Sequence, residues 1–525
     1  MTTSSSTGAA AAATAASAAP LRAAPGRHGQ LRGLESAGRS DQLDGRFGRM
    51  FRSLPAAEFD EAILAALAKL MIADFESTPT PETEVDDEEN TGISAGYTYL
   101  GQFIDHDLTF DPSSSLQKAD DPDSLTDFRT PQFDLDNMYG RGPDDQPYLY
   151  QNDGRHMLLG PPLTGSTTDN NAKSLARNTP SAGDPARALI GDPRNDENVI
   201  VSQLQSSMLR FHNRMVDTLG PNAAFAHIQQ QVRFHYQWTV LHDFLPTIVG
   251  QDTMKAIFGA TKDGKIDFKG KPDLKFYKPK KSPYMPVEFS VAAYRFGHSM
   301  VRPIYRLSQT IPRFPIFNAP GAGESLVGFR DFPHNWAIEW ELFFNAGNNP
   351  PTTGTTRLQP AYKIDTSLVN PLGSLPASIA APPIQSLAER NLIRGWRMGL
   401  PTGQAVARHM GMKPIDDASL KVGKANEDGA KTNQSITTIS PKFANNAPLW
   451  FYILAEAQQQ FVNNATPIHL GPVGGRIVAE VLVGLMVGDG HSYLNQDPNF
   501  VPIAAFQGPG GQFNMIDLLK AARAA

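Results

Sequence analysis

Cysteine is absent from the whole sequence. This absence excludes disulfide scaffolds, zinc–thiolate sites, iron–sulfur clusters and thiolate nucleophiles from the function classes to consider. Apolar runs are short, and none reaches the roughly 18 residues that suggest a membrane-spanning helix. Lys and Arg total 47 against 53 Asp and Glu, with no long basic patch, so a nucleic-acid partner is not expected.

Regular β patterning is also scarce, whereas apolar residues recur with helical spacing. Helices are predicted over residues 51–75, 198–219, 225–245, 289–301, 450–461 and 474–487. Proline and glycine, with 42 and 44 residues, predict long irregular loops between these helices. The 525 residues are enough to bury a large core. We therefore expect a mostly α protein with little β, organised as a single large helical domain.

Composition divides the chain into three regions. Residues 1–45 are rich in Ala, Ser and Thr, which predicts a disordered tail. They lack the basic start and Leu-rich core of a secretory signal, so we expect a cytoplasmic location or non-classical secretion. Residues 46–90 are predicted to hold the first helix and an acidic, solvated linker, PTPETEVDDEEN, and residues 91–525 the main domain.

The segment YTYLGQFIDHDLTFDP, residues 97–112, places one histidine between two aspartates. Each residue of a helix turns by about 100°, so Gln102, Asp105 and His106 share one stripe and Asp107 points away from it. A lone helical histidine is most often a core residue. The neighbouring carboxyl and amide favour a functional role here, because buried carboxylates are costly unless they are paired or used.

A second segment, RTPQFDLDNMYG, alternates oxygen-bearing residues with others. In an extended loop Thr130, Gln132, Asp134 and Asp136 would project to one side. Hydroxyl, carbonyl and carboxylate oxygens at this spacing suit a hard cation such as Ca²⁺, to which Asp107 would add a carboxylate. Asp-rich loops are common, and this one does not match the EF-hand pattern, so the loop alone is a weak signal.

A third segment, IGDPRNDENVIVSQLQ, precedes a predicted helix. Pro193 restricts the backbone just before Arg194, so the guanidinium is held at a defined place. Asn195 or Asp196 is expected to cap the following helix, with Glu197 in its first turn. A functional arginine site and a plain capping and salt-bridge cluster both fit this pattern.

A fourth segment, FSVAAYRFGHSMVRPIY, reads as a buried helix ended by Pro303. His298 lies inside it and can ligate a metal through Nε2. Such a ligand needs a partner that holds its Nδ1–H. The later segment LAERNLIRGWRMGLPTGQ supplies Asn391 and Arg394 as candidates.

These four segments, in this order, resemble the animal-type haem peroxidase family, also called the peroxidase–cyclooxygenase superfamily, which includes myeloperoxidase, lactoperoxidase and peroxinectins. The resemblance runs from about residue 91 to about residue 450 and is carried by GQFIDHDL, GDPRNDEN, YRFGHSMVRP and RNLIRGWRMGLP. Each motif is moderately specific, and the ordered set is highly specific. The resemblance implies a haem b cofactor, bound Ca²⁺ and hydrogen peroxide as a substrate.

The resemblance also implies a role for each matching residue of the haem site. His298 matches the proximal ligand of the haem iron, and Asn391 matches the acceptor of its Nδ1–H. His106 matches the distal acid–base.

Arg194 matches the distal arginine, and Gln102 matches the glutamine of the peroxide pocket. Asp105 and Glu197 match two carboxyls that form esters with haem methyl groups. Arg394 is a further candidate for cofactor binding.

The calcium loop of the family is matched as well. Its ligand positions are Asp107, Thr130, Gln132, Asp134 and Asp136. Family members often carry Ser at the last of these positions, and the extra carboxylate here should tighten the site. Asn198 stands where myeloperoxidase carries a methionine bonded to haem. That third link is therefore absent, and poor chloride oxidation is expected.

The implied function is peroxide-driven oxidation, through a ferryl haem, of small anions (iodide, bromide, thiocyanate) and phenolic donors. One alternative is a haem-dependent fatty-acid dioxygenase of the same superfamily, which uses a tyrosine three residues before the proximal histidine. Arg295 holds that position here, and Tyr294, one residue earlier, is rotated by about 100° on an α-helix. The other alternative is a calcium-stabilised adhesion or haem-carrying protein, which needs neither His106 nor Arg194.

Overall fold

The computed structural model describes residues 45–74, 87–110, 126–184, 186–279, 282–317, 324–347, 349–461 and 467–524. Within these ranges helices dominate, and the strands are only two to six residues long. The predicted mostly α class is therefore confirmed. The predicted tail, residues 1–45, lies outside the described residues except for its last one.

The α-helices vary from single turns to the 21 residues of the longest. They are α1 (Glu61–Met71), α2 (Gly96–Leu108), α3 (Asp136–Tyr139), α4 (Val199–Leu219), α5 (Phe225–Thr239), α6 (Leu245–Val249), α7 (Gln251–Phe258), α8 (Leu387–Arg397), α9 (Gly403–His409), α10 (Glu427–Thr432), α11 (Ile436–Ile439), α12 (Leu449–Gln458), α13 (Pro472–Gly488), α14 (Tyr493–Gln496) and α15 (Met515–Ala522).

The strands form small sheets that tie distant parts of the chain together. They are β1 (Gly45–Gly48), β2 (Glu89–Ser94), β3 (Thr126–Asp127), β4 (Met285–Pro286), β5 (Ile304–Arg306), β6 (Arg313–Pro315), β7 (Pro360–Tyr362), β8 (Lys421–Val422) and β9 (Gln434–Ser435). β1 pairs antiparallel with β3 and parallel with β4, and the pairs β2–β7, β5–β6 and β8–β9 are antiparallel.

Two buried helices, α4 and α12, each pack against several other helices. α4 is buried along most of its length and packs against α2, α5 and α15. α12 is mostly apolar and is buried on every side from Leu449 to Ala457, and it packs against α8, α9 and α13. α2 therefore packs on α4, whereas α8 packs on α12.

The predicted helix over residues 289–301 has a different form in the structure. Glu288–Ala292 is one turn of π-helix, and Ala293–His298 is a 3₁₀-helix. Ala292, at φ −130° and ψ −72°, separates them. The apolar spacing was read correctly, since Phe289, Ala293 and Phe296 are buried, but such spacing does not distinguish α from its wider and tighter relatives.

The end of the predicted acidic linker is a buried strand, and the expectation of a solvated loop is wrong there. Glu88, Glu89 and Asn90 are all less than a tenth exposed. Glu89 accepts hydrogen bonds from Arg302 at 2.7 Å and from Arg357 at 3.0 Å. These two guanidinium groups neutralise the charge, which makes burial of the carboxylate tolerable.

Among the helices that the structure describes, none combines the length and the apolar character needed to cross a membrane.

Candidate active site

A cavity of about 260 Å³ lies between α2, the turn that precedes α4, the 3₁₀-helix Ala293–His298 and α8. All the residues predicted to face a haem line it: Gln102, Asp105, His106, Arg194, Glu197, His298, Asn391 and Arg394. Four segments that are far apart in sequence therefore meet in one place. Asp107 is not in its wall, in agreement with its opposite direction on the helix.

His106 is 1% exposed, and its ring is oriented by a neighbour that the sequence did not identify. Its Nδ1 lies 2.7 Å from Oδ1 of Asn195. The Asn195 amide donates its own N–H to Gln205 at 2.8 Å, which fixes the amide oxygen toward the histidine. Nδ1 therefore carries the proton of the neutral ring, and Nε2 carries the lone pair.

Arg194 is held at the end of α2 by a charge and by backbone carbonyls. Its Nη2 donates to Oδ2 of Asp192 at 2.8 Å, to the Thr109 carbonyl at 2.6 Å and to the His106 carbonyl at 3.2 Å. The guanidinium also lies over the Phe110 ring at 4.5 Å. Its position is therefore fixed before any ligand arrives, as the proline before it suggested.

Gln102, Glu197 and Asn198 form a chain of hydrogen bonds along the cavity wall. Gln102 donates a short hydrogen bond through its amide nitrogen to Glu197, and its amide oxygen accepts from Asn198 at 3.2 Å. Each of these side chains is thus oriented by the next. The polar side of the cavity is therefore ordered by hydrogen bonds among its own side chains.

The cap of α4 differs from the prediction, which named Asn195 or Asp196. Asn198 caps the helix, because its Oδ1 accepts from the backbone N–H groups of Ile200 and Val201 at 3.1 and 2.9 Å. Asn195 orients the histidine instead, and Asp196 pairs with Arg177 at 2.7 Å. The sequence offered several capping residue types in a row, and only tertiary contacts select among them.

Across the cavity, His298 and Asn391 are in contact, with 2.7 Å between the ring Nδ1 and the amide Nδ2. Oδ1 of Asn391 accepts from Arg295 at 2.9 Å. In this orientation the amide donates to Nδ1, so the ring proton is on Nε2. A half-turn of the amide, with Arg295 moved to release Oδ1, lets Nδ1–H donate to that oxygen and leaves Nε2 free to ligate a metal.

Cationic and apolar groups complete the wall on this side. Arg295, Arg390 and Arg394 line the cavity together, and the pKa of Arg390 is lowered by burial and by the nearby charge of Arg394. The apolar part includes Phe296, Val301, Ile316, Leu372 and Leu375. A flat apolar ring system with acidic side groups fits such a wall, because the guanidinium groups would neutralise its carboxylates. The residues present therefore suit haem.

Asp107, on the other face of α2, belongs to an acidic cluster. Ligand oxygens of Asp107, Asp134 and Asp136 all lie within 4.8 Å of one another. Asp107 is fully buried, and neither of its oxygens accepts a hydrogen bond within the described residues. Burial and the charges of Asp134 and Asp136 raise the pKa of Asp107 well above its ordinary value. The cluster has the oxygen ligands and the excess negative charge of a divalent cation site.

The loop that carries this cluster is a series of bends rather than the extended segment that was predicted, with Leu135 at φ 58°. Buried and partly exposed residues still alternate along it. Thr130 donates its hydroxyl to Asp134 at 2.6 Å, and the backbone N–H of Gln132 donates to the Thr130 carbonyl at 2.8 Å. These two predicted ligands therefore lie in the same loop, next to the cluster.

An ion-pair chain that the sequence did not indicate joins the acidic cluster to the cavity. Arg129 pairs with Asp136 at 3.4 Å and with Asp192 at 2.6 Å. Asp192, which is fully buried, also holds Arg194. The calcium-type loop and the cavity arginine thus share one carboxylate.

The chain is similar in sequence to a known protein family and to several known proteins. The model of the family "Animal haem peroxidase" matches residues 117–434, more than half of the chain. Thyroid peroxidase from Rattus norvegicus is 25% identical over 316 residues, which cover 57% of this chain and 30% of that protein. Peroxidasin from Drosophila melanogaster is 25% identical over 226 residues, covering 41% of this chain and 13% of that protein. The chain therefore matches less than a third of the length of these curated relatives.

Solved structures share the fold. Peroxidase A from Dictyostelium discoideum aligns with a TM-score of 0.58 and 16% identity, covering 93% of this chain and 96% of that one. Fatty acid alpha-dioxygenase from Arabidopsis thaliana aligns with a TM-score of 0.50 and 13% identity, covering 89% of this chain and 74% of that one. The family match begins after the segment that holds His106, so the assignment of that residue rests on its position in the cavity. By the extent of the family match, the chain belongs to the animal haem peroxidase family.

Proposed function

We propose that this protein is a haem peroxidase that reduces hydrogen peroxide and oxidises small anions (iodide, bromide and thiocyanate) and phenols. The observation that carries the proposal is the cavity, which joins a histidine of fixed neutral tautomer, a fixed arginine and a second histidine held by an amide. Haem is the cofactor that the family implies. A carrier or adhesion protein would gain nothing from the first two of these groups.

Binding of haem is assigned to the side of the cavity that holds His298. Nε2 of His298 would ligate the iron, with Asn391 on Nδ1, and the arginine group would neutralise the acidic side groups. When bound, haem supplies the electrons that break the O–O bond and stores the oxidising equivalents that result. In the turned orientation Asn391 would be a neutral acceptor, so His298 would keep less imidazolate character than beside a carboxylate, which favours a higher reduction potential.

The chain's own groups manage the proton and the charge. His106 accepts the proton of hydrogen peroxide at Nε2 and returns it to the departing oxygen, while Asn195 keeps Nδ1 protonated throughout. Arg194 stabilises the negative charge that develops as the O–O bond breaks. Because Arg194 is already bonded to α2 and Asp192, it needs no rearrangement to do so.

The acidic cluster is proposed to hold one Ca²⁺. Three carboxylates and nearby hydroxyl and carbonyl oxygens suit this ion, and its charge would offset the repulsion among Asp107, Asp134 and Asp136. Thr130 and Gln132 are proposed as further ligands from the same loop. Metal analysis of the purified protein tests this assignment, and protein that lacks calcium and is indifferent to long chelation contradicts it.

Asp105 and Glu197 are proposed to form ester bonds to haem after oxidation by peroxide. Both lie in the cavity wall, and Glu197 is oriented by Gln102. Extraction of peroxide-treated protein with acidic butanone should leave part of the haem on the polypeptide. Complete release of the haem would rule the esters out.

Chloride should be a poor donor compared with bromide. Asn198 stands where a haem-bonded methionine would withdraw electrons from the iron, and both ends of its side chain are occupied by the α4 backbone and by Gln102. Chloride is the hardest of these anions to oxidise and therefore loses most. Steady-state rates with each anion at mildly acidic pH measure the difference.

A fatty-acid dioxygenase is the second candidate, and one residue favours it. Tyr294 lines the cavity, stacks on Phe289 at 4.6 Å and has no hydrogen-bond partner for its hydroxyl among the described residues. On this 3₁₀-helix each residue turns by about 120°, so Tyr294 is still rotated away from the position of Arg295, but both side chains line the cavity. A tyrosine in this wall is a possible hydrogen-abstracting group.

One experiment separates the candidates. The purified, haem-loaded protein is assayed for its absorption spectrum before and after peroxide, for peroxide-dependent iodide oxidation, and for oxygen uptake with a long-chain fatty acid. The proposed function requires spectral change and iodide turnover. Oxygen uptake with the fatty acid, without iodide turnover, would establish the dioxygenase instead.

A further inference from the structure

A tyrosine at the start of α2 connects the cavity with a second, separate pocket. Tyr97 lines the cavity, and its hydroxyl donates a hydrogen bond to Oδ1 of Asp243 at 2.6 Å. Asp243 lies in one turn of π-helix, Val240–Phe244, between α5 and α6. Such turns are rare and occur often at functional sites, because they change the direction of side chains within a helix.

Asp243 faces a pocket of about 310 Å³ that is more open to solvent than the cavity. Pro246, Thr247 and Gln251 line the same pocket. His242, also in its wall, stacks on Trp238 with 3.7 Å between ring centroids. The lining of the pocket is mainly polar, and the Tyr97–Asp243 hydrogen bond spans the wall between the two spaces.

We propose that Tyr97 and Asp243 form a second oxidation site, at which phenols too large for the cavity give up electrons in the outer pocket. This inference rests on the peroxidase function proposed above. It explains why a tyrosine in the cavity wall is hydrogen-bonded to a carboxylate on the far side of that wall.

The chemistry balances as a pair of one-electron steps. Tyr97 loses one electron to an oxidising equivalent left in the cavity by peroxide, and its phenolic proton moves to Oδ1 of Asp243. A phenol in the outer pocket then gives one electron to the Tyr97 radical, which recovers its proton from Asp243, and the proton of the donor goes to solvent. Two rounds convert one hydrogen peroxide and two phenols into two waters and two phenoxyl radicals.

The electrostatic surroundings of the pair fit this transfer. Burial raises the pKa of Asp243 to about 6, against the opposing effect of hydrogen bonds from Tyr97 and the Met515 N–H, so the carboxylate accepts protons near neutral pH. Burial and the charge of Asp243 raise the pKa of Tyr97 well above its ordinary value. The phenol therefore does not ionise alone, and its proton must leave together with the electron.

The test compares haem-loaded wild type with Tyr97→Phe, which removes only a hydroxyl. Two readouts are used: electron paramagnetic resonance of samples frozen after one equivalent of peroxide, and the ratio of kcat/KM for a phenol coupled to dextran to that for iodide. We expect a tyrosyl radical in wild type that Tyr97→Phe lacks, and at least a tenfold fall in the ratio. A nitroso spin trap followed by peptide mass spectrometry should place the adduct on Tyr97.

Two further variants test whether the radical depends on the Tyr97–Asp243 pair. Tyr294→Phe removes another cavity tyrosine hydroxyl that has no carboxylate partner, and it should retain the spin adduct on Tyr97. Asp243→Asn keeps an acceptor for Tyr97 but cannot take a proton near neutral pH, so it should reduce the radical yield severalfold.

The results distinguish failure of the second oxidation site from failure of the proposed peroxidase function. Iodide turnover with an unchanged ratio in Tyr97→Phe, or a spin adduct on Tyr294 alone, overturns the second site and leaves the peroxidase intact. Absence of peroxide turnover with every donor overturns both.

Discussion

His106 and Asp107 are neighbours on α2, yet their environments are opposite. An amide that is itself fixed by Gln205 holds the ring of His106 with Nδ1 as the donor. Asp107 is a buried acid beside two more carboxylates, with no hydrogen bond to its oxygens within the described residues. The histidine side is preorganised by the protein itself. The aspartate side holds three carboxylates whose repulsion the proposed cation would offset, so the two faces should respond differently to substitution and to removal of ligands.

The largest effect is expected from His298→Ala, which removes the proposed iron ligand. Haem per polypeptide, measured from the Soret absorbance, should fall at least tenfold, while calcium content should stay at the wild-type level. His334→Ala, at an exposed histidine, is the matched control and should keep its haem. Equal loss of haem and calcium would show that the two faces do not act separately.

A smaller effect is expected from His106→Ala, with haem retained. The reaction with peroxide, followed by stopped-flow absorbance, should slow by about 10²–10⁴-fold, the usual contribution of a positioned acid–base group. Asn195→Ala should slow it by less, because the base remains and only its orientation is lost. A rate within threefold of wild type in His106→Ala would remove this residue from the mechanism.

Calcium should affect stability more than it affects the peroxide reaction. At a calcium concentration a hundredfold above Kd, the free energy of unfolding should rise by about 2.7 kcal/mol relative to chelated protein. Asp107→Asn should abolish this gain. In chelator the variant should be at least as stable as wild type, because one of three repelling carboxylates is gone. Urea unfolding with and without calcium measures both effects, and a variant that still responds to calcium would contradict the assignment.

The smallest effect is expected at Asn198, which touches the histidine side through Gln102. Asn198→Ala removes the cap of α4 and should lower the free energy of unfolding by about 1 kcal/mol. Asn198→Ser keeps a capping oxygen but cannot donate to Gln102, so it should recover most of that stability. Equal losses in both variants would mean that the bond to Gln102, rather than the cap, stabilises this end of the helix.

The separation of these two faces could be predicted from the sequence, because helical periodicity sets the relative directions of Gln102, His106 and Asp107. The partner of His106 could not. Asn195 is 89 residues away, and local pattern favoured it as a helix cap. The motifs contained all the residues that were predicted to face a haem, since each motif is a short local element and the cavity only brings them together, but they did not single out Arg390 or Tyr97, which also line the cavity.

The errors have a common physical origin. Glu89 was assigned to a solvated linker because acidic runs are usually exposed, but its partners Arg302 and Arg357 lie 213 and 268 residues along the chain. The segment around His298 was read as α-helix because apolar spacing alone does not resolve a π turn from a 3₁₀ turn. Long-range ion pairs and local helix type are both settled by tertiary packing.

The carboxylate of Asp192 has a thermodynamic consequence beyond its hydrogen bonds. Through Arg129 it is linked to Asp136 of the acidic cluster, and directly it holds Arg194 in the cavity. A cation bound to the cluster would offset the charge of Asp136 and so change the negative charge that Arg129 neutralises. Linkage is reciprocal, so an anion that binds beside Arg194 changes calcium affinity by the same factor by which calcium changes the affinity for that anion. The proposed calcium and haem sites would in this way form a coupled pair, with Asp192 as the residue that joins them.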